Sequence, residues 1–166
     1  MLTRRFSRLE LAAVMLVAAI VVYGLFSRTL RYFEIAEKAA MTITVLNVER
    51  GMRVRLALAA LRGAAAPAEK LQNVNPFEFA RALPPNYLGE LGGQTDLEEL
   101  RRGNWFYNRD LHEIAYLPRL ASRLRGPDGE AIRVVRFRVE KAGGPYALPH
   151  LVPVSGYQWE PEFGTF

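Results

Sequence analysis

From Leu11 to Phe26 the chain runs sixteen residues without a charge, LAAVMLVAAIVVYGLF, bounded by Arg4, Arg5, Arg8 and Glu10 before it and by Arg28 and Arg31 after it. Extended back to Phe6, the stretch is about 31 Å long as a helix, which matches the ~30 Å hydrocarbon core of a bilayer. The pattern then changes without a break. From Arg31 through Leu61 there is no proline and one glycine, Gly51. Met41, Val45, Val48, Met52, Leu56 and Ala59 recur at steps of three and four, the spacing of one helical stripe. Glu34 with Lys38 and Glu49 with Arg53 stand four apart and are expected as ion pairs on other faces. The β-branched run Thr42-Ile-Thr-Val-Leu-Asn-Val48 suits a strand when read alone, but helix on both sides decides for helix. The pattern predicts one helix over about residues 6 to 61, half apolar all round and half amphipathic, ended by Gly63 and Pro67.

The remaining hundred residues read as a connection followed by sheet. Asn75-Pro76 opens a short helix with proline at its first position, and Thr95-Asp-Leu-Glu98 has the spacing of a capping box for another. Pro84-Pro85-Asn86-Tyr87 and Gly92-Gly93 punctuate the interval, so 64–103 is expected as a long loop with short helices. Trp105-Phe-Tyr107 and His112 to Leu117 flank Asn108-Arg-Asp110 as a hairpin. Ile132 to Glu140 alternates, with Val135, Phe137 and Val139 on one side and Arg136, Arg138 and Glu140 on the other. Leu151 to Trp159 supplies a fourth strand, at an edge because of Pro153 and Gly156. Gly126-Pro-Asp-Gly129 and Gly143-Gly-Pro145 are the expected turns. The fold class is α+β: a long N-terminal helix whose amphipathic half covers one face of a four-stranded antiparallel sheet, the other face being polar.

Composition sharpens the boundary. All ten prolines lie at or beyond Pro67, and ten of the thirteen glycines lie beyond Gly63. The net charge of +5 is uneven: residues 1–64 carry ten Lys/Arg and four Glu, whereas 65–166 carry twelve Lys/Arg and thirteen Asp/Glu. The sheet region is therefore nearly neutral, and a nucleic-acid partner is not expected despite Arg133, Arg136, Phe137 and Arg138 lying close in sequence. With no cysteine there are no disulfides, thiolate metal sites or Cys nucleophiles. The N-terminal run lacks a small-residue cleavage site, since Tyr23-Gly-Leu-Phe-Ser-Arg follows where a signal peptidase needs one, so the run is expected to stay as an anchor. Arg4, Arg5 and Arg8 against Arg28 and Arg31 favour the N-terminus inside.

Enzymatic chemistry finds little purchase. His112 stands in a strand beside Asp110 and Glu113, at spacings that do not build a metal site, and His150 follows Pro149 in a loop. Asp96, Glu98 and Glu99 suit the first turn of a helix. Ser7, Ser27, Ser122 and Ser155 have no glycine elbow around them, and no phosphate-cradling glycine motif is present. No catalytic residue, metal, cofactor or small-molecule substrate is expected.

Phe6-Ser-Arg-Leu-Glu10-Leu11 leading into the apolar run resembles the N-terminus of type IV pilins and type II secretion pseudopilins, in which a phenylalanine and, four positions on, a glutamate open a long hydrophobic helix. The stretch Tyr32-Phe-Glu-Ile-Ala-Glu-Lys-Ala-Ala-Met41 and the order of long helix, loop and sheet are similar too. The resemblance implies a pilin-like fold and processing between Arg5 and Phe6, with a methylated new N-terminus. Arg5 stands where the family's peptidase meets glycine, and that predicts slow cutting or a retained leader. It also implies that Glu10 pairs with the freed amine of Phe6 in a neighbouring subunit, setting the register between parallel helices. A carboxylate at the edge of an apolar helix independently asks for a partner. Ala12, Ala13, Ala18 and Ala19 would let neighbouring helices approach closely.

The chain thus divides into a basic leader over 1–5, a membrane helix over 6–30, its amphipathic continuation over 31–63, a connection over 64–103 and a sheet region over 104–166. The function expected from the resemblance is a non-enzymatic subunit of a pilin-like filament or secretion pseudopilus, whose partners are like subunits and inner-membrane assembly proteins. The N-terminus would be cytoplasmic and the sheet region periplasmic. The alternative is a single-pass anchored periplasmic module that binds another protein and never polymerises.

Overall fold

The apolar run and the amphipathic stretch form one unbroken helix, α1, Arg8–Leu61, of 54 residues in a computed structural model that describes residues 7–62, 73–92, 95–141 and 148–159. At 1.5 Å per residue α1 is about 81 Å long. The β-branched run at 42–48 is helical, so tertiary packing overrides its local preference. The three threonines of α1, Thr29, Thr42 and Thr44, return their hydroxyls to carbonyls four residues back, at 2.9, 3.0 and 2.9 Å. The expected stop at Gly63 to Pro67 and the leader over 1–5 lie outside the described residues.

The predicted stripe is what α1 buries. Met41, Val48 and Met52 are fully enclosed, Val45 packs against them, and Leu56 and Ala59 are half-buried. Each large side chain so enclosed is worth about 1.5–3 kcal/mol. Their partners come from strands β1 (Tyr87–Leu91), β2 (Asn104–Asn108), β3 (Glu113–Leu117), β5 (Val135–Lys141) and β6 (Pro149–Pro153), with β4 (Leu124–Arg125) and β7 (Gln158–Trp159) forming a separate pair. Trp105, Tyr107, Ile114, Tyr116, Val135, Phe137, Val139 and Leu151 all reach the helix side of the sheet.

The sheet corrects the expected four antiparallel strands. Its order is β1-β2-β3-β5-β6, and it is mixed: β2, β3, β5 and β6 are successively antiparallel, but β1 runs parallel to β2 with an irregular register between Tyr87 and Glu90. β1 falls inside the stretch read as loop. Pro84-Pro85 before it and Gly89 within it, at φ 99°, interrupt the alternation that marks a strand. A parallel neighbour requires a long crossover, and residues 92–103 supply it.

That crossover lays Leu100 on the outer face of the sheet, where Phe106, Ala115 and Leu117 form a second buried cluster with Leu91 and Val134. The outer face is therefore not wholly polar, which is why β2 and β3 do not alternate. Thr95 to Glu98 makes a turn and no helix: the Asp96 carboxylate accepts the Glu98 N–H at 2.8 Å, and the five residues between Glu98 and β2 are too few to propagate a helix. Asn75-Pro76 does open a helical turn, of 3₁₀ type, Pro76–Phe79.

The hairpin of β2 and β3 is as expected. The Asn108 side-chain oxygen accepts the N–H groups of Asp110 and Leu111, both at 3.0 Å, and His112 takes a left-handed φ of 54°. The expected fourth strand over 151–159 splits instead. β6 is the edge of the main sheet, and after Pro153 and Gly156 the chain leaves it so that β7 pairs with β4. The turn at Gly143-Gly-Pro145 lies outside the described residues.

Candidate functional site

Two features of α1 set this protein apart from a soluble α+β domain, and they divide the helix near Arg31. Below it, every residue from Leu9 to Leu30 is exposed, including Leu9, Met15, Val22 and Phe26, each more than 60% open. A soluble fold does not leave so long an apolar surface uncovered. The helix is long and apolar enough to cross a membrane, and none of its most apolar window is buried.

Glu10 sits at the start of this half. Its backbone N–H donates to the Ser7 hydroxyl at 3.1 Å, while its Oε2 accepts the Ser7 N–H at 2.9 Å, a reciprocal capping box. The Ser7-x-x-Glu10 spacing is the sequence signal for this arrangement. Oε1 of Glu10 has no hydrogen bond among the described residues, so the carboxylate keeps acceptor capacity for a further donor. Arg5 and Phe6 lie outside the described residues. At about 100° per residue, Glu10, Ala13 and Val17 share one side of the helix, whereas Ala12 and Ala19 lie on the opposite side and Ala18 between. The four alanines do not make one seam.

Above Arg31, α1 is fastened to the domain by carboxylates. Glu34, 3% exposed, accepts the Trp159 indole N–H at 3.0 Å and the Arg123 backbone N–H at 3.1 Å through Oε1, and the Ser122 hydroxyl at 2.8 Å through Oε2. One turn on, Glu37 accepts the Tyr116 hydroxyl at 2.8 Å and the N–H groups of Arg119 and Leu120 at 2.6 and 2.9 Å. Lys38 donates to the Trp159 carbonyl at 2.5 Å, so it serves β7 in place of the expected pair with Glu34. The expected Glu49–Arg53 pair does form, at 3.4 Å, and the other Glu49 oxygen takes the Leu151 N–H of β6 at 2.8 Å. Periodicity alone reads these glutamates as a solvated face. They flank the Met41 stripe, but that spacing alone does not distinguish them from carboxylates that face water.

The same contacts perturb Tyr116. Burial raises its hydroxyl pKa well above the usual tyrosine value, and the bond it donates to Glu37 and that carboxylate's charge add to the rise, with Arg119 opposing. Burial likewise pushes up Tyr157, Tyr87 and Tyr107; the charges of Glu90 and Glu78 add to the rise at the last two, and the Asn75 hydrogen bond opposes it at Tyr87.

The sheet's remaining polar residues pair among themselves. His112 lies within 3.1 Å of the Tyr107 hydroxyl through Nδ1, and Glu113, 2% exposed, faces Arg138 at 2.6 Å and Arg136 at 3.7 Å across the outer side of β5. His150, expected in a loop, lies in β6, in register with Glu140 of β5. Asp96 holds its turn, and Glu98 meets Arg133 at 3.2 Å.

Gly51, the lone glycine of the amphipathic half, marks a close approach of α1 to another backbone segment: a Cβ there would stand 1.8 Å from the Phe79 carbonyl oxygen. A glycine inside a helical pattern signals such an approach. Beside it, α1 and residues 78–82 bound an open groove of about 750 Å³ that contains Arg50, Val54, Leu58 and Arg81. Comparison with protein-family models, curated proteins and solved structures finds no match to this chain.

Proposed function

We propose that this protein is a membrane-anchored, non-enzymatic subunit of a pilin-like filament or secretion pseudopilus, assembled through the apolar half of α1. The observation that carries the reading is the single continuous helix, uncovered along residues 9–30 and clamped to the folded domain from Glu34 onward. An anchor alone needs no continuous helix, because a flexible linker tethers a domain as well. A helix that transmits its orientation into the domain suits a subunit whose domain must take a fixed place in an array. In this reading the N-terminus is cytoplasmic, the domain lies across the membrane in the periplasm, and Glu10 accepts from a neighbouring subunit through its free oxygen. Its chemical role is registration of helices in lipid, where an unpaired carboxylate is costly.

Glu10→Gln tests this directly. Glutamine preserves the capping box but removes the charge, whereas Glu10→Ala removes both. Membrane insertion is expected to hold in both variants. Disulfide crosslinking between copies carrying Ala13→Cys or Val17→Cys is expected to fall several-fold in both, since what matters is the charge. Loss in Glu10→Ala alone would assign Glu10 to helix capping. Unchanged crosslinking in both would remove the registration role, and a protein that stays monomeric in the membrane would be an anchored module that does not polymerise.

A further inference from the structure

The groove beside Gly51 has a chemistry that the assembly reading leaves unused. Arg50, Arg55 and Arg81 line it against a single acid, Glu78, and none of the three arginines is in an ion pair among the described residues. Apolar surface lies between them: Val54 and Leu58 are about half exposed, and the Phe79 ring lies 5.8 Å beneath the Arg55 guanidinium. A segment that fits must bring negative charge and apolar side chains together over a few residues. One stretch of this chain does so. Residues 160–166, Glu-Pro-Glu-Phe-Gly-Thr-Phe, carry two acids and two phenylalanines and no basic residue. By contrast, residues 63–72 carry Glu69 and Lys70, which cancel, and Glu98 is already paired with Arg133.

Geometry decides whose tail it is. Trp159, the residue before the segment, is held at the Glu34 and Lys38 level of α1. Gly51 is thirteen residues further along, about 20 Å of axial rise, and the groove lies on the opposite flank of the helix from Lys38. Seven residues reach about 24 Å when fully extended, too little to climb that distance and also wind half-way round the helix. A copy standing parallel alongside, with its β7 edge toward this flank, needs only the climb. We infer that residues 160–166 of one copy dock in the groove between α1 and residues 78–82 of the neighbouring copy, with Glu160 and Glu162 against Arg50 and Arg81. The inference rests on the assembly reading and adds to it a contact outside the membrane that gives neighbouring domains a direction, since each copy offers a tail on one side and a groove on the other.

The chain has no cysteine, so introduced pairs report without background. Two tagged full-length forms, one with Val54→Cys and one with Phe163→Cys, are co-expressed and oxidised in native membranes, with Val17→Cys copies in parallel to report helix association. A disulfide between the two forms is expected. Arg50→Glu with Arg81→Glu on the first form is expected to lower its yield about fivefold, and Glu160→Arg with Glu162→Arg on the second to restore it, because the charges are exchanged and not lost. Absence of the disulfide overturns the inference. So does a disulfide formed within one chain carrying both substitutions, or between Val54→Cys and Leu71→Cys in one chain, since either places the chain's own segment in the groove. If the Val17→Cys crosslink survives such a failure, the assembly reading stands without the tail contact; if that crosslink is also absent, both fall.

Discussion

Glu34 shows how much one residue can carry at the point where a helix meets its domain. It satisfies the Trp159 indole N–H and, just before β4, the Arg123 backbone N–H and the Ser122 hydroxyl; its removal would strand the indole N–H as a buried donor, while the other two lie nearer the surface. A stranded buried donor costs about 1–3 kcal/mol and the two bonds nearer the surface add less, so Glu34→Ala is expected to destabilise by about 2–3 kcal/mol. Glu34→Gln keeps an acceptor oxygen and should cost less. Hydrogen exchange on the full-length protein in detergent checks it: in Glu34→Ala, protection at 158–159 and 122–125 should drop while β2 and β3 keep theirs.

Tyr116 gives the pH counterpart. Its hydroxyl is protonated in the native state to a higher pH than in the unfolded chain, where tyrosine titrates near ~10. Its contribution is therefore complete below about pH 10 and disappears as pH rises beyond that toward the raised native value. Denaturant unfolding followed across alkaline pH should show this loss, and Tyr116→Phe should flatten part of it. The remainder belongs to Tyr157, Tyr107 and Tyr87, which burial raises as well.

At the scale of elements, α1 was the most legible. A period of three and four over Met41 to Ala59, an apolar run before it and no proline leave no other reading of Arg8–Leu61. The expected alternation of Val135, Phe137 and Val139 is likewise found buried on the helix side. β1 was not legible, because Gly89 and the prolines before it remove the pattern and a parallel pairing depends on a distant strand. The glutamates that clamp the helix were visible only as an amphipathic flank, since a carboxylate facing water and one accepting backbone N–H groups have the same spacing. Gly51 tests the packing of the element itself. In an isolated helix Gly→Ala gains about 1 kcal/mol, but at Gly51 the new methyl would meet the Phe79 carbonyl, and a net loss of about 1–3 kcal/mol is expected. Gly24→Ala, where nothing lies within 4 Å, should not destabilise the domain. Chemical denaturation of the two variants side by side separates the effects.

For the whole molecule, the arrangement is a rod with a domain locked to one end. Glu34 and Glu37 are eight and eleven residues past Phe26, roughly 12 and 17 Å along the axis, so the clamp begins about where a spanning helix leaves the headgroups. Rotation of the apolar half therefore turns the domain with it, and in the proposed assembly the face of α1 that associates would fix which side of the domain meets a neighbour. The candidate assembly residues were readable as a motif, Phe6 to Leu11 ahead of an apolar run, but a motif of that length does not say which face of the helix associates. A cysteine scan of positions 9–26, one substitution at a time with oxidation in native membranes, measures that face. Crosslinking between copies is expected to rise and fall every three to four residues, with maxima on the side shared by Glu10, Ala13 and Val17 and minima at Ala12 and Ala19. A flat profile, or no crosslinking at any position in protein that is fully membrane-embedded, would contradict assembly through this helix.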